Sequence, residues 1–330
     1  MNKEKEIVLV TGISGWIAQY CAIELIKAGY HVRGSLRSME RQQEVIDALS
    51  KEVDPTNALE FCELDLLKDE GWDDAMTGCT YAMHVASPFY VREPKNENEL
   101  IEPAKEGTIR AMRSAQKAGI KRIVVTSSVV AMSAHLKGGV ATPSTWTDIN
   151  EKINTYQRSK TIAEKAAWDF IKNQTGEHQL ELTVVNPGGV MGPALSDDID
   201  CESLSICTKL MTGQMPGIPN FSIVMVDVRD VAKHHLQAMT IPEANNKRII
   251  SCLRKPTPFL ELATILKEAG FKVPTNKVPT LLLKFLSLFD REAKGMLPLL
   301  DREVECDNSE TIELFNWTPR PLKETFIGFT

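Results

Sequence analysis

The stretch that decides the fold is Ile7-Val8-Leu9-Val10-Thr11-Gly12-Ile13-Ser14-Gly15-Trp16-Ile17-Ala18, near the start of a chain of 330 residues. Its first four residues are aliphatic, which is typical of a strand that is buried on both faces. Gly12 allows a tight turn, Gly15 lets the backbone approach a pyrophosphate, and Ala18 keeps the following helix close to the strand. That helix is expected to stop at Gly29. A strand, a glycine turn and a helix in this order predict a nucleotide site, with the helix N-terminus facing the phosphates.

The spacing of this turn is G-x-x-G-x-x-A, which departs from the common G-x-G-x-x-G pattern of dinucleotide-binding proteins. A glycine-rich turn that binds nothing is the alternative interpretation. The strand before the turn and the helix after it favour nucleotide binding.

The end of the second predicted strand, at about residues 30–36, indicates which dinucleotide is bound. NAD-binding proteins of this kind usually carry an acidic residue there that grips the ribose hydroxyls, and residues 31–39 contain none. Arg37 and Ser38 suit a 2′-phosphate instead, with Arg41 one helical turn further on as support. The alternative is that Arg37 is a solvated loop residue. The sequence therefore predicts NADP(H) rather than NAD as the cofactor.

Strands and helices alternate regularly along the first 192 residues. Further elements are expected as strands at about 59–64, 81–86, 122–126 and 182–185, with a helix at 97–118. Alternating elements of these lengths predict an α/β fold, in which a Rossmann-type doubly wound parallel sheet carries helices on both faces.

Beyond Gly192 this alternation breaks. The later elements are expected as helices at 202–211 and 227–239, sheet-like segments at 222–226 and 248–252, and a mostly helical remainder. We therefore predict an NADP-binding Rossmann domain of residues 1–192 and 222–252. A smaller, mostly helical substrate-binding domain would comprise residues 193–221 and 253–330. The apolar residues between 281 and 286 are expected to pack its core, and a membrane-binding face is the alternative.

Polar residues follow several predicted strands, at the edge where doubly wound sheets bind ligands. Asp65 is expected either to accept a hydrogen bond from an adenine amino group or to cap a helix near Asp69. Ser127 and Ser128 follow the strand at 122–126. Their hydroxyls can face a substrate there, although serines also end strands without any further role.

A tyrosine and a lysine are four residues apart in a helix predicted over residues 155–173. Tyr156 and Lys160 therefore share one helical face, which Ala163 and Ala167 continue. A free phenol has a pKa of about 10, and a nearby cation lowers it toward the neutral range. The pair is thus suited to proton transfer. The alternative is a chance pair on an exposed helix, and the spacing alone decides little.

Composition excludes several classes of function. The apolar fraction of 43% and charged fraction of 25% are typical of a globular protein, and the net charge of −6 argues against nucleic-acid binding. The longest apolar run, 281–289, is too short to span a bilayer, and a signal peptide is not expected. Seven scattered cysteines without a C-x-x-C pair fit the cytoplasm and argue against a bound metal.

Taken together, these motifs resemble the extended short-chain dehydrogenases/reductases. The chain is most similar to the branch of dihydroflavonol reductases, cinnamoyl-CoA reductases and methylglyoxal or aldehyde reductases. The matching pieces, in family order, are residues 11–18, 32–37, 84–88 and 125–128, Tyr156 with Lys160, and residues 186–188 and 226–231. The resemblance spans about residues 6–250, and the last eighty residues match only loosely.

The resemblance implies a catalytic set of Ser128, Tyr156 and Lys160, with Ser127 as the alternative serine. It also implies an NADP(H) site formed by Gly12, Ser14, Gly15, Trp16, Ile17, Arg37, Asp65, Leu66, Val85, Ala86, Ser87, Thr126, Tyr156, Lys160, Pro187, Gly188 and Val190. The substrate is expected to meet Ser128, Tyr156, Phe89, Met132 and Met191, with Leu204 and Met211 nearby. Residues 213–219 are expected to form a loop at the mouth of the pocket that acts as a lid.

The implied activity is an NADPH-dependent reduction of a small to medium aldehyde or ketone, with Tyr156 as proton donor. The apolar lining suits an aryl or alkyl carbonyl, and its methionines favour tolerance over tight selection. The alternatives are a hydroxysteroid dehydrogenase, a nucleotide-sugar epimerase or dehydratase, and a non-catalytic NADP-sensing protein. A cytoplasmic monomer or homodimer without membrane or nucleic-acid partners is expected.

Overall fold

A computed structural model describes residues 6–88, 93–196, 210, 212 and 217–327. Its strands are β1 (Ile7–Val10), β2 (His31–Leu36), β3 (Leu59–Glu63), β4 (Cys79–His84), β5 (Arg122–Thr126), β6 (Gly138–Ala141), β7 (Glu181–Pro187), β8 (Gly189–Met191), β9 (Ser222–Ile223), β10 (Met225–Asp227), β11 (Arg248–Ser251), β12 (Thr257–Pro258) and β13 (Glu303–Cys306). Its α-helices are α1 (Trp16–Lys27), α2 (Gln42–Leu49), α3 (Trp72–Met76), α4 (Asn98–Lys117), α5 (Val130–Ser133), α6 (Thr155–Asn173), α7 (Val228–Thr240), α8 (Phe259–Glu268), α9 (Thr280–Leu286), α10 (Arg291–Met296), α11 (Ser309–Phe315) and α12 (Leu322–Ile327).

Within these residues, seven strands form one sheet in the order β11-β7-β5-β4-β1-β2-β3. Every neighbouring pair in this sheet is parallel. The order runs outward in both directions from β1 and β4, which is the doubly wound arrangement. The α/β Rossmann-type fold predicted from the sequence is confirmed.

The central strands are buried on both faces, as their aliphatic sequences require. Successive side chains of β1 point to opposite faces. Val8 therefore packs in one apolar core with Ile23 of α1 and Val231 of α7, whereas Leu9 packs in a second core with Met112 of α4. The two layers of helices hold the carboxyl edge of the sheet in a fixed position, and the loops that follow the strands meet there.

Several short strands pair outside the main sheet. The segment expected as one element at 222–226 divides: β9 pairs antiparallel with β12, and β10 pairs parallel with β8. In the part expected to be mostly helical, β13 pairs parallel with β6. Strands of two to four residues are too short to show a clear periodicity in the sequence, and their partners lie far away along the chain. The proposed division into two domains stays a prediction.

The apolar run at residues 281–289 does not pack a core, so that expectation was wrong. Leu281 is 82% exposed and Phe289 is 79% exposed, while Leu283 is buried. The apolar residues of α9 cover more than half of its circumference, and a short helix can bury only one face. Among the described helices, none has both the length and the apolar character needed to cross a membrane.

Candidate active site

The glycine turn after β1 is fixed by its neighbours at the carboxyl edge of the sheet. Gly12 has a φ of +66°, and a Cβ on it would lie 2.9 Å from the Cβ of Ala86. Its N–H donates to Ser35 Oγ at 3.0 Å. Thr11 Oγ1 accepts from the N–H groups of Val85 and Ala86 at 3.1 and 3.0 Å. The turn is therefore tied to both adjacent strands, and only glycine fits at position 12.

The N-terminus of α1 faces this turn with its backbone donors available. Gly15 is the N-cap and supplies no side-chain hydrogen bond to the first helical turn. The first N–H groups of a helix have no intrahelical partner and carry the positive end of its dipole. The arrangement is suited to holding a pyrophosphate.

A cavity of about 1060 Å³ runs along the carboxyl edge of the sheet from this turn. Its wall includes most of the residues predicted from the sequence, namely Gly12, Ser14, Gly15, Trp16, Ile17, Arg37, Leu66, Val85, Ala86, Ser87, Thr126, Ser128, Tyr156, Lys160, Pro187, Gly188, Val190 and Met191. Residues from the first and last parts of the sheet are thus brought to one site.

Two predicted residues lie away from this wall. Asp65 does not line the cavity, because its Oδ1 accepts from the N–H of Leu67 at 2.9 Å in a tight turn. Met132 is fully buried in the core, since it lies on the face of α5 that packs against the sheet. Both were expected to contact a ligand, and both are corrected here.

Some of the predicted lining falls outside the described residues. This holds for Phe89, Leu204, Met211, the helix expected at 202–211 and the first part of the expected lid. The described end of that lid segment is held by hydrogen bonds, from Ile218 N to Asn276 O and from Val278 N to Ile218 O.

Tyr156 lies in the first turn of α6, at a firmly held helix N-terminus. Asn154 and Gln157 form a reciprocal capping box, with hydrogen bonds of 2.9 and 3.0 Å between side chain and backbone. The carboxylate of Glu93 accepts from the N–H and the hydroxyl of Thr155 at 3.1 and 2.7 Å. The half-buried phenol of Tyr156 is therefore presented to the cavity from a fixed backbone.

Lys160 is one turn further along α6 and is buried beneath the cavity. Its Nζ donates to the carbonyl oxygen of Thr126 at 3.1 Å. Burial lowers the pKa of Lys160 from 10.5 to about 8, and the carboxylate of Glu164 opposes this shift. The ammonium therefore loses its proton more easily than an exposed lysine does.

The two serines after β5 have different environments. Ser127 Oγ donates to the carboxylate of Glu164 at 2.6 Å. With described residues, Ser128 Oγ makes only long hydrogen bonds: it donates to Pro187 O at 3.4 Å and accepts from Val130 N at 3.3 Å. The Ser127 hydroxyl is thus committed to a strong acceptor, whereas that of Ser128 can turn toward a ligand.

A buried ion pair behind these serines was missed by the sequence reasoning. Glu164 accepts from Arg248 Nε at 2.5 Å and from Asn186 Nδ2 at 2.8 Å, and its side chain is fully buried. The guanidinium of Arg248 stacks on Trp146, with its Cζ 3.8 Å from the ring centroid. The position of Glu164, four residues after Lys160, was the one available signal.

Two arginines lie at the end of the cavity near the glycine turn, opposite the serines that follow β5. Arg41 donates to both oxygens of Glu44 at 2.7 and 2.8 Å and to Ser14 Oγ at 3.2 Å. Arg37 is exposed at the rim, and no described residue forms an ion pair with it. Among the residues that the structure describes, Arg37 therefore has no counterion beside the glycine turn.

A further wall of the cavity comes from the last part of the chain and was also missed. It consists of Met296, Leu299, Arg302, Val304 and Cys306. The pairing of β13 with β6 brings this segment to the sheet edge. Within the described residues, no three His, Cys, Asp or Glu side chains are grouped so that they could hold a metal ion.

The chain is similar in sequence to known proteins over most of its length. Residues 8–252 match the model of the NAD dependent epimerase/dehydratase family. Cinnamoyl-CoA reductase CAD2 from Medicago truncatula is 33% identical over 272 residues, which cover 79% of this chain and 80% of the relative. A Vitis vinifera anthocyanidin reductase of the (2S)-flavan-3-ol-forming type is 29% identical over 294 residues, covering 84% of this chain and 83% of that enzyme.

The chain is also similar to solved structures. Yeast methylglyoxal/isovaleraldehyde reductase Gre2, complexed with NADPH, superposes with a TM-score of 0.81 at 26% identity and covers 98% of this chain and 96% of its own. MoeE5 in complex with UDP-glucose and NAD, at 20% identity and a TM-score of 0.73 over 97% of this chain and 96% of its own, shares the fold. The chain belongs to the NAD dependent epimerase/dehydratase family, the extended short-chain dehydrogenases/reductases that its motifs resemble.

Proposed function

We propose that this protein is an NADPH-dependent reductase that acts on the carbonyl group of a small to medium aldehyde or ketone. The observation that carries the proposal is the meeting of Ser128, Tyr156 and Lys160 in one cavity with the glycine turn and Arg37. The relatives named as reductases, and the NADPH complex of yeast Gre2, support it.

The residues present fit NADPH along the length of the cavity. The glycine turn and the N-terminus of α1 would hold the pyrophosphate, and the close contact of Gly12 with Ala86 leaves the turn no room for a larger residue. Arg37, which forms no ion pair with any described residue, would hold the 2′-phosphate. Lys160 would hold the nicotinamide ribose, and Gly188 to Val190 would meet the carboxamide.

The bound NADPH would supply a hydride to the carbonyl carbon of the substrate. The Tyr156 phenol would donate a proton to the oxygen of that carbonyl as negative charge develops there. Lys160 would favour the phenolate that remains and so keep the tyrosine competent near neutral pH. Ser128 would donate a hydrogen bond to the same oxygen and orient it.

The environments of the two serines support Ser128 for this role. The Ser127 hydroxyl donates its hydrogen bond to the Glu164 carboxylate, a stronger acceptor than a carbonyl oxygen. Both serines line the cavity, but the hydroxyl of Ser128 makes contacts of 3.3 and 3.4 Å with described residues and so is held less firmly. Ser127 would instead fix the end of β5 against α6.

A panel of carbonyl compounds with NADPH tests the proposal. We expect aryl and alkyl aldehydes or ketones to exceed phosphorylated or sugar-nucleotide carbonyls in kcat/KM, because the cavity wall includes the apolar side chains of Met191, Phe221 and Phe259. The decrease of nicotinamide absorbance measures the rates. A strong preference for a nucleotide sugar, or no reduction of any unphosphorylated carbonyl, would overturn the proposal in favour of an epimerase or dehydratase.

Cofactor choice is expected to depend on Arg37. Replacing Arg37 with Ala removes charge-assisted hydrogen bonds worth about 1.5–3 kcal/mol. NADPH binding should weaken by about 10- to 150-fold, whereas NADH binding should hardly change, because NADH has no 2′-phosphate. Titration of the variant with both cofactors measures this. Equal losses for the two cofactors would show that Arg37 has a structural role.

Cofactor affinity is also expected to depend on the protonation of Lys160. Its pKa of about 8 means that the ammonium is lost as the pH rises through this value. In a Tyr156→Phe background, which has no titrating phenol at this position, the NADPH dissociation constant should rise roughly two- to tenfold above that pH, the scale of one hydrogen bond. Changing Lys160 to Arg in that background keeps the charge and should remove the dependence. If the NADPH dissociation constant of the Tyr156→Phe variant does not change with pH, the proposed role of Lys160 in cofactor binding is contradicted.

The substrate side of the cavity would be formed by residues 193–221 and 253–330, as the contribution of Met296 to Cys306 supports. A cytoplasmic monomer or homodimer remains the expected state.

A further inference from the structure

An arginine of the C-terminal wall lies beside the catalytic end of the cavity. Arg302 immediately precedes β13, and the pairing of β13 with β6 places it against the end of α5. Its Nε donates to the carbonyl oxygen of Leu136 at 2.7 Å, and its Nη2 donates to the carbonyl oxygen of Ser133. The guanidinium is thus held in a fixed position at the cavity wall.

Arg302 has no counterion among the residues that the structure describes. Asp301, its neighbour, accepts from Asn220 Nδ2 at 2.7 Å, and Glu305 pairs with Arg254 at 3.2 Å. Burial lowers the pKa of Arg302, and the Cys306 thiol is the one group that opposes this shift. Arginine nevertheless remains a cation in proteins. A half-buried positive charge therefore lines the cavity, and none of the described residues supplies an anion for it.

This charge is exceptional in its surroundings. The rest of the C-terminal wall is apolar, consisting of Met296, Leu299, Val304 and Cys306. Burying a charge without an opposite charge is unfavourable, and the two carbonyl oxygens that Arg302 contacts are neutral. Its Nη1 group bonds to no described residue, so one side of the planar fork remains open to a ligand. An anionic group bound there would compensate the charge with charge-assisted hydrogen bonds.

We propose that Arg302 binds a carboxylate on the carbonyl substrate, which would make the preferred substrates aldehydes or ketones with an acidic group at the far end. The inference rests on the proposed function. Ser128, which orients the carbonyl, and Ser133, which contacts Arg302, are five residues apart along α5 and its N-terminal turn. At 1.5 Å per residue the backbones of the two serines are roughly 7.5 Å apart along the helix axis. A carboxylate across an aromatic ring from the aldehyde matches such a distance.

The test compares two aldehydes of nearly the same size and shape, 4-formylbenzoate and 4-formylbenzamide, with NADPH at pH 7. The wild type should favour the carboxylate in kcat/KM, although the amide is intrinsically the more electrophilic aldehyde. Arg302→Met should reduce kcat/KM for 4-formylbenzoate by about 10- to 100-fold, the scale of a charge-assisted hydrogen bond. The same variant should reduce kcat/KM for 4-formylbenzamide much less. A purely structural role would lower both values by the same factor.

The controls separate this inference from the proposed function. Arg254→Met removes an exposed arginine that pairs with Glu305 and Asp307 away from the cavity, and it should leave the ratio between the two aldehydes unchanged. The wild-type ratio is independent of whether the Arg302→Met variant folds. Equal wild-type rates for the two aldehydes, or a preference for the amide, would overturn the role of Arg302 alone. Failure of the wild type to reduce any unphosphorylated carbonyl would overturn the proposed function.

Discussion

The Tyr156→Phe variant is expected to bind NADPH nearly as well as the wild type and to turn over about 10²–10⁴-fold more slowly, the usual loss for a missing general acid. Phenylalanine keeps the ring that occupies the cavity wall and removes only the hydroxyl. The helix that carries it is held by the Asn154 capping box and by Glu93, so the backbone should not move. The variant should therefore report chemistry rather than folding.

Steady-state rates with a reducible aldehyde, and a separate NADPH titration, measure the two effects. Tyr30→Phe is the matched control, because Tyr30 is also half-buried but lies outside the cavity, edge-on to Tyr81. It should retain the wild-type rate. If Tyr156→Phe does so as well, Tyr156 is not the proton donor.

The Arg248→Met variant is expected to lose about 3–5 kcal/mol of unfolding free energy, because it leaves the Glu164 carboxylate buried without its cation. Domains of ordinary stability have only about 5–15 kcal/mol in total. The same change removes the stacking of the guanidinium on Trp146 and its hydrogen bonds to Pro143 O and Thr145 O. Urea denaturation followed by circular dichroism measures the loss.

Two comparisons show whether the buried pair is the cause. Lys27→Met breaks an ion pair with Glu52 in which both side chains are 46% exposed, and should cost less than about 1 kcal/mol. The double variant Glu164→Met with Arg248→Met should recover much of the stability, since two apolar side chains need no counterion. A loss for Arg248→Met no larger than that for Lys27→Met would contradict the interpretation.

The sequence determined the sheet and the edge of the sheet at which the cavity lies. The aliphatic run of β1, the glycine turn and the absence of an acid at the end of β2 are local patterns, and local patterns fix local structure. The helix predicted over residues 155–173 is present as α6 with those bounds. Parallel strands then bring their carboxyl ends together, so the residues after them meet without further information. The fold and the family predicted from these patterns are confirmed. The residues assigned to catalysis and to cofactor binding remain predictions.

Only the tertiary structure decided which contacts the polar and apolar residues near the cavity make. Ser127 and Ser128 are adjacent in sequence, and the buried carboxylate of Glu164 is what distinguishes them. Met132 and Met191 were both expected to contact the substrate, but the orientation of α5 buries Met132 in the core. Arg302 reaches the cavity because β13 pairs with β6 across more than 150 residues. Contacts over such separations depend on packing and pairing of distant segments, which no local window of sequence contains.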